Sequence, residues 1–364
     1  MTTSQTFQIA VVPGDGIGQE VIPAALAVLE ALQKHVGGFA LRYEHLKAGA
    51  GVYQETGEDM AAADFARCGT ADAILLGAMG LPGVRLADGT EVAPHLRMRE
   101  VFGLYAGVRP VKFYPHTPGR LADPRAQGID FIVLRESTEG LFYSHRRGEV
   151  IGDAEARETL RITRATTEKL FDVGFKLARR RKARGGKGRV TCVDKANVFR
   201  AYAFFRKIGQ ERAALNPDIQ FATNYVDAQA LDLIRRPWEF DVLVMENMFG
   251  DILSDLGGGL VGGMGMAPCA ELGDKHGLFQ PAHGTAPDIA GKGLANPTAT
   301  LLSAALMLDW LGERHRVEAM TVAAGRLEAA VHAGFAGGRI KPAEFGGPHG
   351  TADITRRVLE LIAG

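Results

Sequence analysis

The sequence predicts an α/β protein built around a mostly parallel sheet, and three observations support this fold class. Short apolar runs of strand length alternate with segments whose apolar residues recur at helical spacing. The chain has 364 residues, a length typical of about two domains. Of these residues 46% are hydrophobic, enough for a large core, and the 46 glycines cluster between the apolar runs, as many strand-to-helix turns require.

The N-terminal part of the chain shows the alternation most clearly. We predict a strand at residues 7–12, a helix at residues 17–34, and further strands at residues 40–45 and 71–77. The glycines of residues 13–18 are spaced GxGxG rather than GxGxxG, and no acidic residue closes the second strand. A Rossmann dinucleotide fingerprint is therefore not expected, and we predict a non-Rossmann fold.

The rest of the chain continues the same pattern. Residues 103–111 are predicted to be extended, residues 142–150 are polar, basic and β-like, and the charge run at 179–187 is typical of a solvated helix end. Predicted strands are residues 131–134, 190–193, 221–226 and 242–245, and predicted helices are residues 154–182, 301–311, 317–331 and 351–362, with another helix after residue 197.

The charge balance and the cysteines limit the partners and the compartment. The 42 Lys and Arg residues match the 42 Asp and Glu residues, so no electrostatic argument favours nucleic acid or an acidic membrane. Cys68, Cys192 and Cys269 lie far apart in the sequence, which indicates a reducing compartment. The chain opens without a basic segment followed by an apolar run, and no apolar stretch reaches the length of a membrane span. We therefore expect a cytoplasmic protein.

Asp251 and Asp255 are the first candidate site. They follow the apolar run at residues 242–245 and are four residues apart, so a helix opening at Asp251 would place both carboxylates on one face. The carboxyl ends of strands are where open α/β sheets bind ligands, and carboxylate oxygens suit Mg²⁺ or Mn²⁺. The alternative is a solvated helix N-terminus, where the helix dipole favours aspartate.

Five further charged residues stand at the ends of predicted elements: Arg99, Arg109, Arg135, Lys195 and Asp227. Arginine forks bind carboxylates through two hydrogen bonds, and a lysine in such a site can act as a base or a proton relay. Three arginines beside aspartates suggest a di- or tricarboxylate bound next to a divalent cation. Taken singly, each residue is more typical of a surface salt bridge.

Seven ordered motifs resemble those of the isocitrate/isopropylmalate dehydrogenase family of NAD(P)-dependent β-decarboxylating dehydrogenases. The motifs are residues 13–18, 96–110, 135–140, 194–197, 225–228, 247–255 and 283–291. The resemblance covers the whole chain and implies a two-domain, isopropylmalate-dehydrogenase-like fold with parallel or mixed sheets flanked by helices. A discontinuous cofactor-binding domain would comprise residues 1–104 and 262–364. Residues 105–261 would form the dimerisation, metal and substrate domain.

The resemblance also implies a reaction. Such enzymes oxidise a 2-hydroxy di- or tricarboxylate, transfer hydride to the nicotinamide and release the β-carboxylate as CO₂ with the help of a divalent metal. The positions that match the family's site fall into three groups. The metal ligands are Asp227, Asp251 and Asp255, the substrate clamp is Arg99, Arg109 and Arg135, and the catalytic residues are Lys195 and Asp227. Tyr143, one residue past the family's tyrosine position, is the expected catalytic acid, and the alternative is another group. Lys195 and Asp227 would come from the partner subunit, so the expected working unit is a homodimer with shared active sites.

The nucleotide-binding positions follow from the same resemblance. They are Ile17, Asn197, His283, Gly284, Thr285, Ala286, Asp288, Ile289 and Asn296. Of these, Asp288 indicates the cofactor, because an acidic residue accepts hydrogen bonds from a ribose 2′-hydroxyl and repels a 2′-phosphate. The expected cofactors are therefore NAD and Mg²⁺ or Mn²⁺.

Two positions depart from the family pattern. Family members carry a proton-donating Tyr where this chain has Phe142, with Tyr143 next; in a strand, one step of register turns a side chain to the opposite face. Isopropylmalate dehydrogenases carry a Leu-Leu pair where this chain has His95 and Leu96. His95 shares a helix face with Arg99, which favours a polar third group on the substrate, whereas the alternative is a solvent-facing histidine.

The expected substrate is therefore a tartrate-like or D-malate-like 2-hydroxy acid, or another 3-substituted malate. The alternatives are 3-isopropylmalate and isocitrate or homoisocitrate. A non-catalytic regulatory subunit is a further alternative. It is disfavoured because such subunits tend to lose the lysine or the metal aspartates, and Lys195, Asp227, Asp251 and Asp255 are all present.

Overall fold

A computed structural model describes residues 5–145 and 147–364. Residues 1–4, which belong to the predicted cofactor domain and to the chain start discussed above, lie outside the described residues. None of the helices in the described part combines the length and apolar character that a membrane crossing needs.

Strands and helices alternate through most of the chain. The strands are β1 (Gln5–Gly14), β2 (Phe39–His45), β3 (Ala73–Ala78), β4 (Ala106–Lys112), β5 (Asp130–Glu136), β6 (Glu149–Ile151), β7 (Glu155–Arg157), β8 (Arg189–Asp194), β9 (Gln220–Tyr225), β10 (Val242–Met245), β11 (Pro268–Leu272) and β12 (Gly277–Pro281). The helices are α1 (Gly18–Val36), α2 (Ala50–Thr56), α3 (Ala62–Thr70), α4 (Pro94–Val101), α5 (Arg164–Ala183), α6 (Arg200–Ala214), α7 (Val226–Arg235), α8 (Asn247–Leu260), α9 (Thr298–His315), α10 (Glu318–Ala336) and α11 (Thr351–Ala363). Short 3₁₀ turns span Pro124–Gly128, Leu141–Ser144, Pro237–Glu239, Met264–Met266 and Ala343–Phe345.

Ten of these strands form one mixed sheet in the order β2-β1-β3-β12-β11-β4-β5-β10-β8-β9. Both outer parts of the sheet are parallel, and the antiparallel pairs β12–β11, β11–β4 and β4–β5 join them at the centre. This arrangement confirms the predicted α/β class with a mixed sheet flanked by helices. Strands from residues 1–104 and 262–364 occupy one half of the sheet and strands from residues 105–261 the other. The predicted division follows this order and stays a prediction.

Apolar packing on both faces holds the sheet in place. Helix α1 buries Val21, Ile22, Val28 and Leu29, which recur at the helical spacing that predicted it. Strand β10 is completely buried and has the bounds that its apolar run predicts. Because buried parallel strands end at a common edge, the side chains after β5, β8, β9 and β10 lie along one side of the molecule.

The predicted helix at residues 154–182 is wrong in its first part. Residues Glu155–Arg157 instead pair with β6 as an antiparallel two-stranded sheet, and α5 begins only at Arg164. The side chain of Thr163 accepts a hydrogen bond from the Thr166 amide at 3.5 Å, which satisfies a free donor at this helix start. The helical periodicity of α5 is correct, but it does not extend to the hairpin.

Helix α8 also differs from its prediction at its N-terminal end. It begins at Asn247, with Glu246 accepting a hydrogen bond from the Met248 amide at 3.2 Å, so Asp251 lies in the second turn rather than the first. The helix also continues through the glycine triplet at residues 257–259. Gly257 packs so close to β4 that a Cβ there would lie 2.7 Å from a Val111 methyl carbon. Close packing therefore explains a glycine inside this helix.

The charge run at residues 179–187 is only partly solvated. Arg181 donates hydrogen bonds to Asp241 at 2.5 Å and to Asp130 at 2.9 Å, and the Asp241 carboxylate is completely buried. The prediction of a solvated helix end is therefore wrong for Arg181, which ties α5 to the start of β10.

Candidate active site

Three buried arginines converge where the two halves of the sheet meet. Arg109 lies on β4, Arg135 near the end of the adjacent β5, and Arg99 in the last turn of α4. Burial, and after it the charges of Arg109 and Arg99, lower the pKa of Arg135 to about 10, so Arg135 remains protonated at neutral pH. Three buried guanidinium groups that converge in this way favour the binding of anions.

Arg135 and Arg109 both reach helix α8. Arg135 donates to the Asp251 carboxylate and, at 2.7 Å and 3.2 Å, to Oδ1 of Asn247. Arg109 donates to Asp251 at 3.1 Å and to the Ser254 hydroxyl at 2.7 Å. The structure therefore brings two arginines of the predicted clamp together with one predicted metal ligand. Asn247 and Ser254, for which no role was predicted, hold these guanidinium groups in place.

Asp251 and Asp255 present their carboxylates on one face of α8. Their side chains are 50% and 62% exposed, and Asp255 lies 4.0 Å from Arg109. Burial raises the pKa of Asp255, Arg109 opposes this, and the like charge of Asp251 raises the pKa further. Two accessible carboxylates that disfavour each other's charge, on a rigid helix, fit a Mg²⁺ or Mn²⁺ ion.

The third predicted metal ligand lies elsewhere in the same chain. Asp227, in the first turn of α7, accepts a hydrogen bond from Lys195, which follows β8. This partner lowers the pKa of Asp227. Within residues 5–145 and 147–364, no group of three or more His, Cys, Asp or Glu side chains is placed to hold one metal ion. One chain thus contributes two carboxylates at α8, and Lys195 with Asp227 forms a separate pair.

Arg99 has a partner that the sequence did not predict. One of its terminal nitrogens lies 2.9 Å from Oε1 of Glu271 on β11. Burial opposes ionisation of Glu271, but the charges of Arg99, then Arg109 and Arg135, outweigh it and lower the pKa of this carboxyl. The clamp therefore contains a buried acid. A glutamate inside an apolar strand is the signal that could have identified it, but β11 itself was not predicted.

His95 lies beside the clamp rather than in open solvent. Burial, then the charges of Arg99 and Arg135, lower the pKa of His95 to about 3, so the imidazole is neutral at physiological pH. Its Nδ1 is buried and has no hydrogen-bond partner among the described residues. The solvent-facing alternative is therefore wrong, and His95 offers an unpaired polar atom close to the arginines.

Tyr143 lies on a 3₁₀ turn, Leu141–Ser144, and not on the strand that the sequence analysis assumed. The register argument for Phe142 and Tyr143 is therefore wrong, because neighbours on such a turn point about 120° apart rather than to opposite faces. The Phe142 ring lies 5.3 Å from the Arg135 guanidinium, whereas the Tyr143 ring lies 4.0 Å from that of Arg161. Both aromatic rings and Arg99 line one cavity of about 550 Å³.

The predicted adenosine loop is anchored to the first helix of the fold. The Ile17 amide donates to the Thr285 carbonyl at 2.9 Å, and the buried Ile17 side chain packs against Ala286 and Ile289. Gly284 lies exposed in the same loop, and Ala286 adopts a positive φ of 39°. These contacts bring Ile17, at the start of α1, together with four predicted cofactor residues of the loop.

The remaining predicted cofactor residues lie in two separate parts of the structure. His283 has a buried Nε2 without a partner in the described residues, and burial lowers its pKa. Asn296 donates to Glu344 at 2.9 Å, and the Asp288 carboxylate is exposed on the loop. An unpaired ring nitrogen, an amide and a free carboxylate fit an adenosine with an unmodified ribose. Asn197 is exposed after β8, in the other half of the sheet, and does not join this group.

This combination of a mixed sheet, an arginine clamp, a carboxylate pair and a nucleotide loop is typical of a dehydrogenase of 2-hydroxy acids that works with a divalent cation. The chain belongs to the isocitrate/isopropylmalate dehydrogenase family, because the family model described as isocitrate/isopropylmalate dehydrogenase matches residues 8–358. This confirms the resemblance. The protein is an NAD-dependent oxidative decarboxylase that uses Mg²⁺ or Mn²⁺ and acts on small hydroxy acids.

Relatives match nearly the whole chain. A 3-isopropylmalate/3-methylmalate dehydrogenase from Methanocaldococcus jannaschii is 40% identical over 356 residues, which cover 98% of each protein. A 3-isopropylmalate dehydrogenase from Aquifex aeolicus is 40% identical over 311 residues, which cover 84% of each. These names agree with the alternative substrate of the sequence analysis better than with its first expectation.

Solved structures of similar proteins share the fold. The isocitrate dehydrogenase from Methylococcus capsulatus superposes with a TM-score of 0.84 at 33% identity, covering 98% of this chain and 100% of that one. A β-decarboxylating dehydrogenase from Thermococcus kodakarensis superposes with a TM-score of 0.74 at 33% identity, covering 98% and 96%.

Proposed function

We propose that this protein catalyses the NAD-dependent oxidation and β-decarboxylation of a 3-alkylmalate such as 3-isopropylmalate or 3-methylmalate. The observation that carries the proposal is the convergence of Arg109 and Arg135 on Asp251, with Arg99 beside them. This arrangement supplies cations for two carboxylates next to acids suited to a metal. The names of the relatives support the alkyl group.

The residues of the chain would have separate roles in this reaction. The arginines bind and orient the two carboxylates, so that the 2-hydroxyl faces the side of α8 that carries Asp251 and Asp255. When bound, the divalent cation supplies Lewis acidity at the 2-oxygen and NAD supplies the hydride acceptor. Lys195, as the neutral amine, would take the hydroxyl proton and become an ammonium group, which Asp227 would orient through the hydrogen bond seen in the structure.

Tyr143 would return a proton to the product carbon after CO₂ leaves. It lines the same cavity as Arg99, and the guanidinium groups of Arg161 and Arg147 lie 4.0 Å and 5.1 Å from its ring. Phe142, at the position where the family carries the tyrosine, packs against Arg135 and has no proton to donate.

The working unit would be a homodimer with shared sites in the cytoplasm. Exposed apolar side chains form a stripe on α7 and α8: Leu231 is 54% exposed and Ile252 60%. Met248 and Ile252 lie on α8 next to the face that carries Asp251 and Asp255. A second copy packed on this stripe would cover it and reach the aspartates, which supports delivery of Lys195 and Asp227 from the partner subunit.

One observation favours a second candidate, a tartrate or D-malate type of substrate. The buried Nδ1 of His95 is unpaired beside Arg99, and a hydroxyl on the substrate would satisfy it. An alkyl group would leave it unpaired at a cost of about 1–3 kcal/mol.

A substrate panel with NAD and Mn²⁺ decides between these candidates. The panel contains 3-isopropylmalate, 3-methylmalate, tartrate, D-malate, isocitrate and homoisocitrate, with NADH absorbance as the readout. The highest kcat/KM should be found with one of the 3-alkylmalates. A preference for tartrate or D-malate would establish the second candidate, and turnover of none would refute both.

A further inference from the structure

Glu271 is a buried acid at the centre of the arginine clamp. Its side chain is completely buried on β11, opposite Gly107 of β4 in the antiparallel pair. A Cβ at Gly107 would lie 3.0 Å from Oε2 of Glu271 and 2.7 Å from the Ser137 hydroxyl. The missing side chain at position 107 therefore leaves the space that the Glu271 carboxylate fills.

The contacts of Glu271 point towards the substrate arginines. Oε1 lies 2.9 Å from Arg99, and the thiol of Cys269 is 3.6 Å from the same oxygen. Oε2 is also buried, with the Ser137 hydroxyl on the same side of Gly107, and a hydrogen bond from Ser137 further lowers the pKa of Glu271. Arg109 and Arg135 act on the carboxylate through their charges alone. A buried carboxylate is costly unless paired, so Glu271 and Arg99 depend on each other.

Glu271 differs from the two aspartates of the site in what it can reach. The carboxylates of Asp251 and Asp255 are at least half exposed and open to a cation, whereas that of Glu271 has no exposed surface. The negative charge of Glu271 therefore interacts with the guanidinium groups and is not accessible to a cation. Arg99 therefore has a permanent internal partner, whereas Arg109 and Arg135 pair with Asp251, whose carboxylate is half exposed and open to a cation.

We propose that Glu271 is a specificity-determining residue that positions Arg99 and restricts the site to substrates with two carboxylates. The inference rests on the proposed function and deepens it. A substrate with a third carboxylate would place that charge close to the Glu271 carboxylate. Because this part of the site is buried, water would not screen the repulsion between the two negative charges. A substrate with an uncharged third group meets an Arg99 whose charge is already compensated.

The Glu271→Gln variant tests this assignment. It keeps the shape of the side chain and removes the charge, which releases Arg99 for a third carboxylate. The ratio of kcat/KM for isocitrate to kcat/KM for the best dicarboxylate should rise by about tenfold or more, the effect of about 1.4 kcal/mol. Asp241→Asn is the matched control, because it removes a buried acid that pairs with Arg181 just before the start of β10, away from the arginine clamp. The control should leave the ratio unchanged.

A binding measurement on the unaltered protein gives a second test. With Mn²⁺ and without NAD, methylsuccinate should raise the melting temperature more than tricarballylate, which differs from it by one added carboxylate. Equal shifts, or a larger shift with tricarballylate, would overturn the inference.

The outcomes separate the inference from the proposed function. If the wild type oxidises no 2-hydroxy acid of the panel, the proposed function fails. If the wild type is active but Glu271→Gln leaves the ratio unchanged, the inference fails and the function stands. If Glu271→Gln does not fold, the melting-temperature comparison decides alone.

Discussion

Lys195 donates a hydrogen bond to Asp227 within one chain, at the ends of two neighbouring strands. Neither residue contacts Asp251 or Asp255 among the hydrogen bonds and ion pairs of the described residues. The predicted proton acceptor and one predicted metal ligand therefore form a unit separate from the two aspartates of α8. In the shared site proposed above, a second copy of the chain would bring the two units together.

Subunit complementation tests this shared site. Lys195→Met and Asp255→Asn should each abolish turnover, but a mixture of the two chains should recover about a quarter of wild-type activity, because half of randomly formed dimers contain one intact site of two. The measurement is NADH formation after the variants are unfolded and refolded together.

A control mixture uses two defects on the same side of the interface. Lys195→Met mixed with Asp227→Asn should recover nothing, because every site then lacks one of the two residues. Recovery in this control, or none in the first mixture, would show that the sites are not shared in the way proposed.

Removal of the divalent cation should abolish activity. In the part of the chain that the structure describes, only arginines offset the repulsion between the half-exposed carboxylates of Asp251 and Asp255. Excess EDTA should stop NADH formation, and Mn²⁺ should restore it. Mn²⁺ should also raise the melting temperature of the wild type and of Glu55→Gln, an exposed control on α2, but not of Asp255→Asn. Full turnover in EDTA would contradict the metal assignment.

The sequence predicted those helices and strands whose own residues show a clear local hydrophobic pattern. Strand β10 is a pure apolar run, and α1 has a clear helical period, so both were found. Strands β11 and β12 were missed, because they are fixed by their antiparallel pairing with each other at the centre of the sheet. Their position depends on contacts between distant parts of the chain, which local periodicity does not contain.

The same distinction applies to the site. Arg135 and Asp251 could be selected from the sequence because several charged residues coincide at the ends of predicted elements, although each alone has an ordinary structural explanation. Glu271 could not, because its role arises from pairing opposite Gly107 and from contact with Arg99, far away in the sequence. Tyr143 was placed on a strand because its neighbours are β-like, whereas a 3₁₀ turn after Gly140 carries it.

Asp288 should make the enzyme prefer NAD to NADP. Its exposed carboxylate would accept hydrogen bonds from the ribose 2′-hydroxyl and repel a 2′-phosphate. Asp288→Lys should lower the ratio of kcat/KM for NAD to kcat/KM for NADP by about tenfold or more. Glu55→Lys adds the same charge change outside the loop and should leave the ratio alone. A wild type that uses NADP as well as NAD would refute this prediction.

His95 should make folding sensitive to acid. Its folded pKa is about 3 against an ordinary value of 6.5, because burial and two arginines disfavour its charged form. Between these values the unfolded chain binds a proton that the folded chain does not, so stability falls as pH falls. His95→Leu should remove up to about 1.4 kcal/mol per pH unit of that fall.

Urea unfolding at several pH values between 7 and 4 measures the effect. His35→Gln, at an exposed position near the end of α1, is the control and should follow the wild type. The same pH dependence in wild type and His95→Leu would show that the histidine is not held neutral.

His95 should also set the balance between alkyl and polar substrates. Its unpaired Nδ1 lies beside Arg99, where the third group of the substrate is expected, so a leucine there would exchange a polar wall for an apolar one. His95→Leu should raise kcat/KM for 3-isopropylmalate relative to tartrate by about tenfold or more, the effect of about 1.4 kcal/mol. His35→Leu should leave the relative rates unchanged. If His95→Leu shifts nothing, the third group does not meet His95, and the neighbouring Leu96, which lines the 550 Å³ cavity with Arg99, must form that wall instead.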